Sequence, residues 1–289
     1  MIPNKKKFLI DVVGRFNYGR GGTISLYSLC HYINLLGGEA YVTHPDSPGF
    51  LNAPFLKINN EADIISEDYI VVYPPSRKTS NYYGAKNVVR WVMHRTECFS
   101  WNFKELNKAD LFFCINENFF CPPNVNYCGE LRSHFFDTDL FRQKNFEDRT
   151  HNKSSFIIKK GPRPDNLNKI HPPNSIMLDN FHTDWVKMSD HLNKSPYLYC
   201  YDNWSGWPML AAACGCVGIV VPNLKEKFTP SEYYLASWAH AAGVAYGTDQ
   251  KEIDRAKSTM HLVPDILANV QKKDLESIER FMNICYNHF

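Results

Sequence analysis

The feature that most constrains this chain is an alternation, sustained along most of its length, of short apolar runs with stretches whose apolar residues recur at helical spacing. Phe8 to Val13 is an apolar run rich in β-branched residues and reads as a buried strand. A glycine cluster follows at Gly14, Gly19, Gly21 and Gly22. From Ile24 to Leu36 apolar residues recur at helical spacing, and Gly37-Gly38 stops the helix. Glu39 to Thr43 reads as a second strand. A strand, a loop, a helix and a strand in that order make a βαβ unit, which implies a parallel sheet.

Further strands are expected over Asp68–Tyr73, stopped by Pro74-Pro75, over Asn87–Met93, and over Asp110–Ile115. Each is almost continuously apolar, as strands covered on both faces must be. From Phe141 to Ser155 the chain turns polar and charged and reads as a linker. A second alternating region follows. Strands are predicted from Ser155, from Ser175, over Tyr197–Tyr201 and over Val217–Val221. Helices are predicted over Asp184–Leu192, over Pro208–Cys214 with Gly215 as the stop, and over Asp265–His288. The expected class is therefore α/β, with two tandem units facing across a cleft. Residues 1–150 form the first, 151–270 the second, and 271–289 a helix packing back on the first. Ligands of open parallel sheets bind beyond the carboxyl ends of the strands, so the site is expected in that cleft.

Bulk properties exclude several function classes. The chain has 289 residues and a net charge of +2, too small a charge to suggest a nucleic-acid partner. Its one short basic run, Lys5-Lys6-Lys7, would give at most a peripheral attraction to an anionic membrane. No apolar stretch approaches the roughly 18 residues of a bilayer span, and the short run after the basic residues carries Asp11, unlike a secretory leader. A soluble cytoplasmic protein is the expectation. The nine cysteines form no CxxC pair, and Cys214-Gly215-Cys216 is too close for a zinc knuckle, so buried free thiols are expected and no structural metal. Aromatics make up 14% of the chain; most should be core, and some could line a sugar- or base-stacking site.

The segment from Tyr199 to Pro222, YCYDNWSGWPMLAAACGCVGIVVP, resembles the donor-binding signature of GT-B glycosyltransferases. In that family a strand ends in an acidic residue, a turn leads to an alanine-rich helix with a glycine stop, and a strand ends near proline. Asp202 stands where the first acidic residue would be, and Ala211-Ala-Ala-Cys-Gly matches the helix and its stop. Leu210 stands where the family usually has a second acidic residue, which holds the donor ribose. The resemblance implies two Rossmann-like domains, a C-terminal helix crossing back to the first, and a nucleotide-sugar donor as substrate without a further cofactor. The acceptor would be a glycan, a lipid-linked sugar or a protein. With Leu210 in that position, the alternative is a non-catalytic nucleotide-sugar or glycan-binding module on the same fold.

The chemistry of sugar transfer selects the candidate residues. The departing nucleotide gains negative charge, which basic side chains and helix N-terminal amides stabilise. Lys159, Lys160 and Arg163 follow a strand, and Ser205-Gly206 precede a helix, so these are the candidate phosphate ligands. On the bland reading the lysines are solvated and Ser205-Gly206 merely start the helix. Asp202 is a candidate for a ribose or sugar hydroxyl, or else it caps its own turn. Gly21 and Gly22 would let the backbone approach donor or acceptor, or simply form a tight turn. They make a poor nicotinamide fingerprint, because Ile24 stands where the third glycine would be. A catalytic base for an inverting reaction would be His94 or Glu117, each just past a predicted strand. No acidic pair stands at a strand end to hold a metal on a diphosphate, so metal independence is expected.

Overall fold

The computed structural model describes residues 6–58, 68–77, 81–93, 106–116, 124–144, 153–158, 170–179, 184–222, 228–237 and 240–289. The chain forms two units: Met1–Phe135 together with Gln271–Phe289, and Phe136–Val270.

In the first unit the strands are β1 (Lys7–Ile10), β2 (Ala40–Val42), β3 (Tyr69–Tyr73), β4 (Asn87–Val92), β5 (Leu111–Cys114) and β6 (Asn126–Glu130), in the spatial order β2-β1-β3-β4-β5-β6. Every pairing is parallel. The strands alternate cleanly between two covered faces. Phe8, Ile10, Val72, Val89, Trp91 and Phe113 enter one buried cluster, with Leu26, Leu29 and Ile33 of helix α1 (Gly21–Leu35) and with Ile278 and Phe281. Leu9, Val71, Tyr73, Val88, Val92 and Phe112 enter the other. Helix α1 stops where expected: Gly37 takes a φ of +80°, and the Gly38 amide turns back to the Ile33 carbonyl at 2.9 Å.

Strand β6 was not anticipated. Its residues are exposed or half-buried, as suits a sheet edge, and its sequence NYCGE has no apolar run to betray it. Strand β1 ends at Ile10, short of the predicted Val13; Asp11 and Val12 are still buried and Val13 is exposed.

In the second unit the strands are β7 (Ser155–Ile157), β8 (Ile176–Met177), β9 (Tyr197–Cys200), β10 (Val217–Val220) and β11 (Val244–Tyr246), in the order β11-β10-β9-β7-β8 and again all parallel. The helices are α2 (Trp185–Lys194), α3 (Trp207–Ala213), α4 (Pro230–Ala236) and α5 (Gln250–Thr259). Helix α2 begins as read, with Asp184 accepting from the Lys187 amide at 3.0 Å. Helix α4, strand β11 and helix α5 occupy a stretch in which no element was predicted. Helix α4 opens on a capping box between Thr229 and Glu232, and α5 on Asp249. Phe141, read as the start of a polar linker, is a core residue of this unit, edge-on to Trp185 at 5.5 Å.

Helix α6 (Val263–His288) spans both divisions of the chain. Val263 and Leu267 belong to the second unit's core, and Ile278, Phe281 and Cys285 to the first unit's. Within the first unit, buried Asp274 accepts from the His134 amide at 2.6 Å and from Arg132 Nε at 3.3 Å, with His134 Nδ1 at 3.0 Å. Among the described residues, no helix is long and apolar enough to cross a membrane.

Candidate functional site

In both sheets the order in which strands are added reverses once. In the second, β7 is followed by β8 on one side, while β9 is followed by β10 on the other. The carboxyl ends of β7 and β9 therefore flank the topological switch point, the place where ligands of such sheets bind. The turn from β9 into α3 begins there, and it contains three of the residues singled out in the sequence: Asp202, Ser205 and Gly206.

Asp202 follows β9 and is half-buried. Its Oδ1 accepts from the Trp204 amide at 3.2 Å, and its carbonyl accepts from the Ser205 amide at 3.3 Å. The residue thus caps its own turn, as one reading held. Oδ2 makes no hydrogen bond to the described residues, so the same side chain can shape the turn and accept from a ligand hydroxyl. Ser205 Oγ accepts from the Trp207 amide at 3.3 Å, and Gly206 is exposed at the helix start.

The turn is rigidly supported. The Tyr233 hydroxyl donates to the Asn203 carbonyl at 2.5 Å and lies 2.7 Å from His240 Nδ1. Tyr233 is stacked on Tyr246 with ring centroids 4.3 Å apart. Burial pushes the His240 pKa down to about 4, against a smaller opposing effect of the Ser205 backbone. A neutral imidazole, a buried phenol and an aromatic stack therefore hold Asn203 to Ser205 in place. Neither Tyr233 nor His240 could be found from sequence, because each acts on a turn far from it along the chain. On the other flank His171 lies flat against Phe156 at 3.9 Å, and its Nδ1 is 2.6 Å from the Tyr201 hydroxyl.

The helix behind the turn is held close to the sheet. A Cβ on Gly218 of β10 would sit 2.5 Å from the Pro208 carbonyl oxygen, so only glycine permits this approach. Leu210 is buried on α3 (8% exposed), as an apolar packing residue. Gly215 stops the helix with a φ of +74°.

In the first unit Gly21 and Gly22 are the first two residues of α1. The preceding loop is closed by Asn17, whose Oδ1 accepts from the Gly19 amide at 2.8 Å. Helix α1 has no side-chain cap and no acidic residue in its first turn, so its leading amides are left without a side-chain acceptor. A Cβ on Gly21 would meet nothing within 4 Å. The absent side chain there is not required by packing. His94, Glu117, Lys159, Lys160 and Arg163 lie outside the described residues. Among the described residues, no three His, Cys, Asp or Glu side chains are placed to hold a metal ion.

The sequence matches no family model and no curated protein. Several solved structures align with the chain over most of its length. One is the spinosyn forosaminyltransferase SpnP, at 12% identity and a TM-score of 0.40, covering 96% of this chain and 95% of that one. Another is an α-glucosyltransferase in complex with UDP and a 13-mer DNA, at 10% identity and a TM-score of 0.46, covering 98% and 95%. A third is WaaG, a glycosyltransferase involved in lipopolysaccharide biosynthesis, at 8% identity and a TM-score of 0.45, covering 96% and 95%.

Proposed function

We propose that the chain is a glycosyltransferase that moves a hexosyl group from a nucleotide-sugar donor to a glycan, lipid-linked or protein acceptor in the cytoplasm. The observation that carries this reading is Asp202. It is a carboxylate at the carboxyl end of β9 with one oxygen committed to its turn and the other open, beside the switch point of a parallel sheet. The donor-binding resemblance falls on this same strand–turn–helix.

In this reading Asp202 accepts from a ribose or sugar hydroxyl. Ser205, Gly206, Lys159, Lys160 and Arg163 bear on the donor diphosphate, and Gly21 and Gly22 let the α1 backbone approach the ligand. As the glycosidic bond breaks, charge grows on the leaving nucleotide, and fixed donors stabilise it without reorganisation. His94 or Glu117 removes the acceptor proton if the reaction inverts. The basic groups do the neutralising, so no metal and no further cofactor take part.

One observation favours a second reading, a binding module without turnover: the buried, apolar Leu210 occupies the position expected to hold the ribose. Calorimetric titration with a panel of nucleoside diphosphate sugars, together with an assay of nucleotide release, separates the two. Transfer predicts saturable donor binding, weakened about tenfold by Asp202→Ala or Lys160→Ala, and slow donor hydrolysis that survives EDTA. Binding without release selects a nucleotide-sugar-binding module, and no binding of any nucleotide sugar defeats the transferase and leaves only a glycan-binding module.

A further inference from the structure

The first sheet has its own switch point, between β1, which leads to β2 on one side, and β3, which leads to β4 on the other. At that point the chain buries a carboxylate completely. Asp11 directly follows β1, is 0% exposed, and continues the ladder by donating its amide to the Val72 carbonyl at 3.0 Å. Arg77, in the loop after β3, reaches it with two N–H groups. Its Nε donates to Oδ2 at 2.6 Å, and its Nη2 donates to Oδ1. The Tyr83 hydroxyl and Thr43 Oγ1 donate to Oδ1 as well, each at 3.3 Å.

A buried ion pair costs about as much desolvation as it returns, so a neutral apolar pair would hold this corner of the sheet as well or better. What the pair provides is orientation. Asp11 grips the Nε–Nη2 side of the guanidinium and fixes its plane. Its Cζ lies over the ring of Tyr82, 4.3 Å from the centroid, and Tyr82 is itself 48% exposed. Nη1 and the second N–H of Nη2 make no hydrogen bond among the described residues, and the Arg77 side chain keeps 19% of its surface open. Those N–H groups form a planar fork matched to two oxygens of a phosphate or carboxylate.

The geometry points to an oxyanion-binding site at Arg77, with Asp11 as the residue that positions the fork and Tyr82 as its exposed wall. Its ligand is a phosphate or carboxylate group carried by the acceptor. The assignment to the acceptor rests on the proposed transfer reaction; the oxyanion site itself does not. The site lies in the first unit and uses none of Asp202, Ser205 or Gly206 in the second.

The test is calorimetric titration of the full chain, without donor, with glucose 6-phosphate, glucuronate and neutral glucose. The site predicts binding of one or both anionic sugars, at least about tenfold tighter than glucose. The arm that binds tells phosphate from carboxylate. The double variant D11N/R77Q leaves no buried charge unpaired, and its circular dichroism and thermal melt report whether it is folded. Folded, it should lose the anionic preference. Arg77→Lys keeps the charge but not the fork and should weaken binding at least about threefold, while the surface change Tyr82→Ala should weaken it with no effect on the melt. The proposal is overturned if wild type prefers neither anion to glucose, if the folded double variant or, should that variant not fold, Arg77→Lys and Tyr82→Ala bind as wild type, or if saturating nucleoside diphosphate displaces the anionic sugar. Failure of every nucleotide to bind, with anionic sugar binding retained, would remove the donor reading and leave this site standing.

Discussion

The hydroxyl of Tyr233 donates to the carbonyl of Asn203 at 2.5 Å, across 30 residues of sequence. His240 Nδ1 lies 2.7 Å from the same hydroxyl oxygen, and the backbone of Ser205 hydrogen-bonds the His240 ring as well. The turn that carries Asp202 and Ser205 is thus anchored from beneath by two buried side chains.

Tyr233→Phe keeps the stack on Tyr246 and removes only the hydroxyl, leaving the Asn203 carbonyl and the His240 ring without it. The expected loss is about 1–3 kcal/mol of folding stability, the cost of leaving buried polar groups unsatisfied. Urea unfolding of the two proteins measures it; equal midpoints would show that the hydroxyl contributes nothing.

Stability should fall in acid because of His240. Its folded pKa is about 4 against an ordinary value of 6.5, so between those values the unfolded chain binds the proton and the folded chain does not. The contribution is fully present above pH 6.5 and is lost as pH falls towards 4, by about 3 kcal/mol in all at roughly 1.4 kcal/mol per pH unit. Folded His240→Gln should flatten the stability profile over that window, and an unchanged slope would assign the acid sensitivity elsewhere.

Two glycines should respond oppositely to alanine. At Gly218 the new methyl would meet backbone atoms of Pro208 at 2.5 and 2.7 Å, which cannot move aside, so Gly218→Ala should cost about 1–3 kcal/mol or more. At Gly21 the methyl meets open space, so Gly21→Ala should leave the thermal midpoint unchanged or raise it slightly. Any loss of nucleotide-sugar affinity in Gly21→Ala would then report a ligand approaching the backbone, and unaltered affinity would remove Gly21 from the site.

Asp274→Ala should be among the most damaging single changes. It deletes a fully buried carboxylate that accepts from Arg132 and from the His134 backbone. Breaking a buried pair costs about 3–5 kcal/mol. Hydrogen exchange should accelerate most in α6 from Gln271 onward; loss confined to other elements would contradict the role given to Asp274.

Much of the site's frame was legible in advance, and the reason is local. The apolar runs at Tyr69–Tyr73 and Asn87–Val92 are buried on both faces, and that burial writes itself into consecutive residues. The turn at Asp202 could be found because a strand, a turn and a glycine-stopped helix follow one another directly. Strand β6 escaped because an edge strand needs no apolar run, and β11, a three-residue strand at the edge of the other sheet, escaped with it.

By itself, then, the amino-acid sequence determined the α/β class, the two parallel sheets and the strand ends at which chemistry can occur, since these follow from periodicities that neighbouring residues carry together. Only the tertiary structure decided which polar groups meet there. Arg77 reaches Asp11 across 66 residues, and Asp274 reaches His134 across 140. Such pairs are made by two loops, or a loop and a helix, brought together by the sheet, and neither partner alters the pattern of its own segment. Burial then sets their meaning: the same arginine in water would be a mobile charge, and against a carboxylate sealed from solvent it becomes an oriented fork.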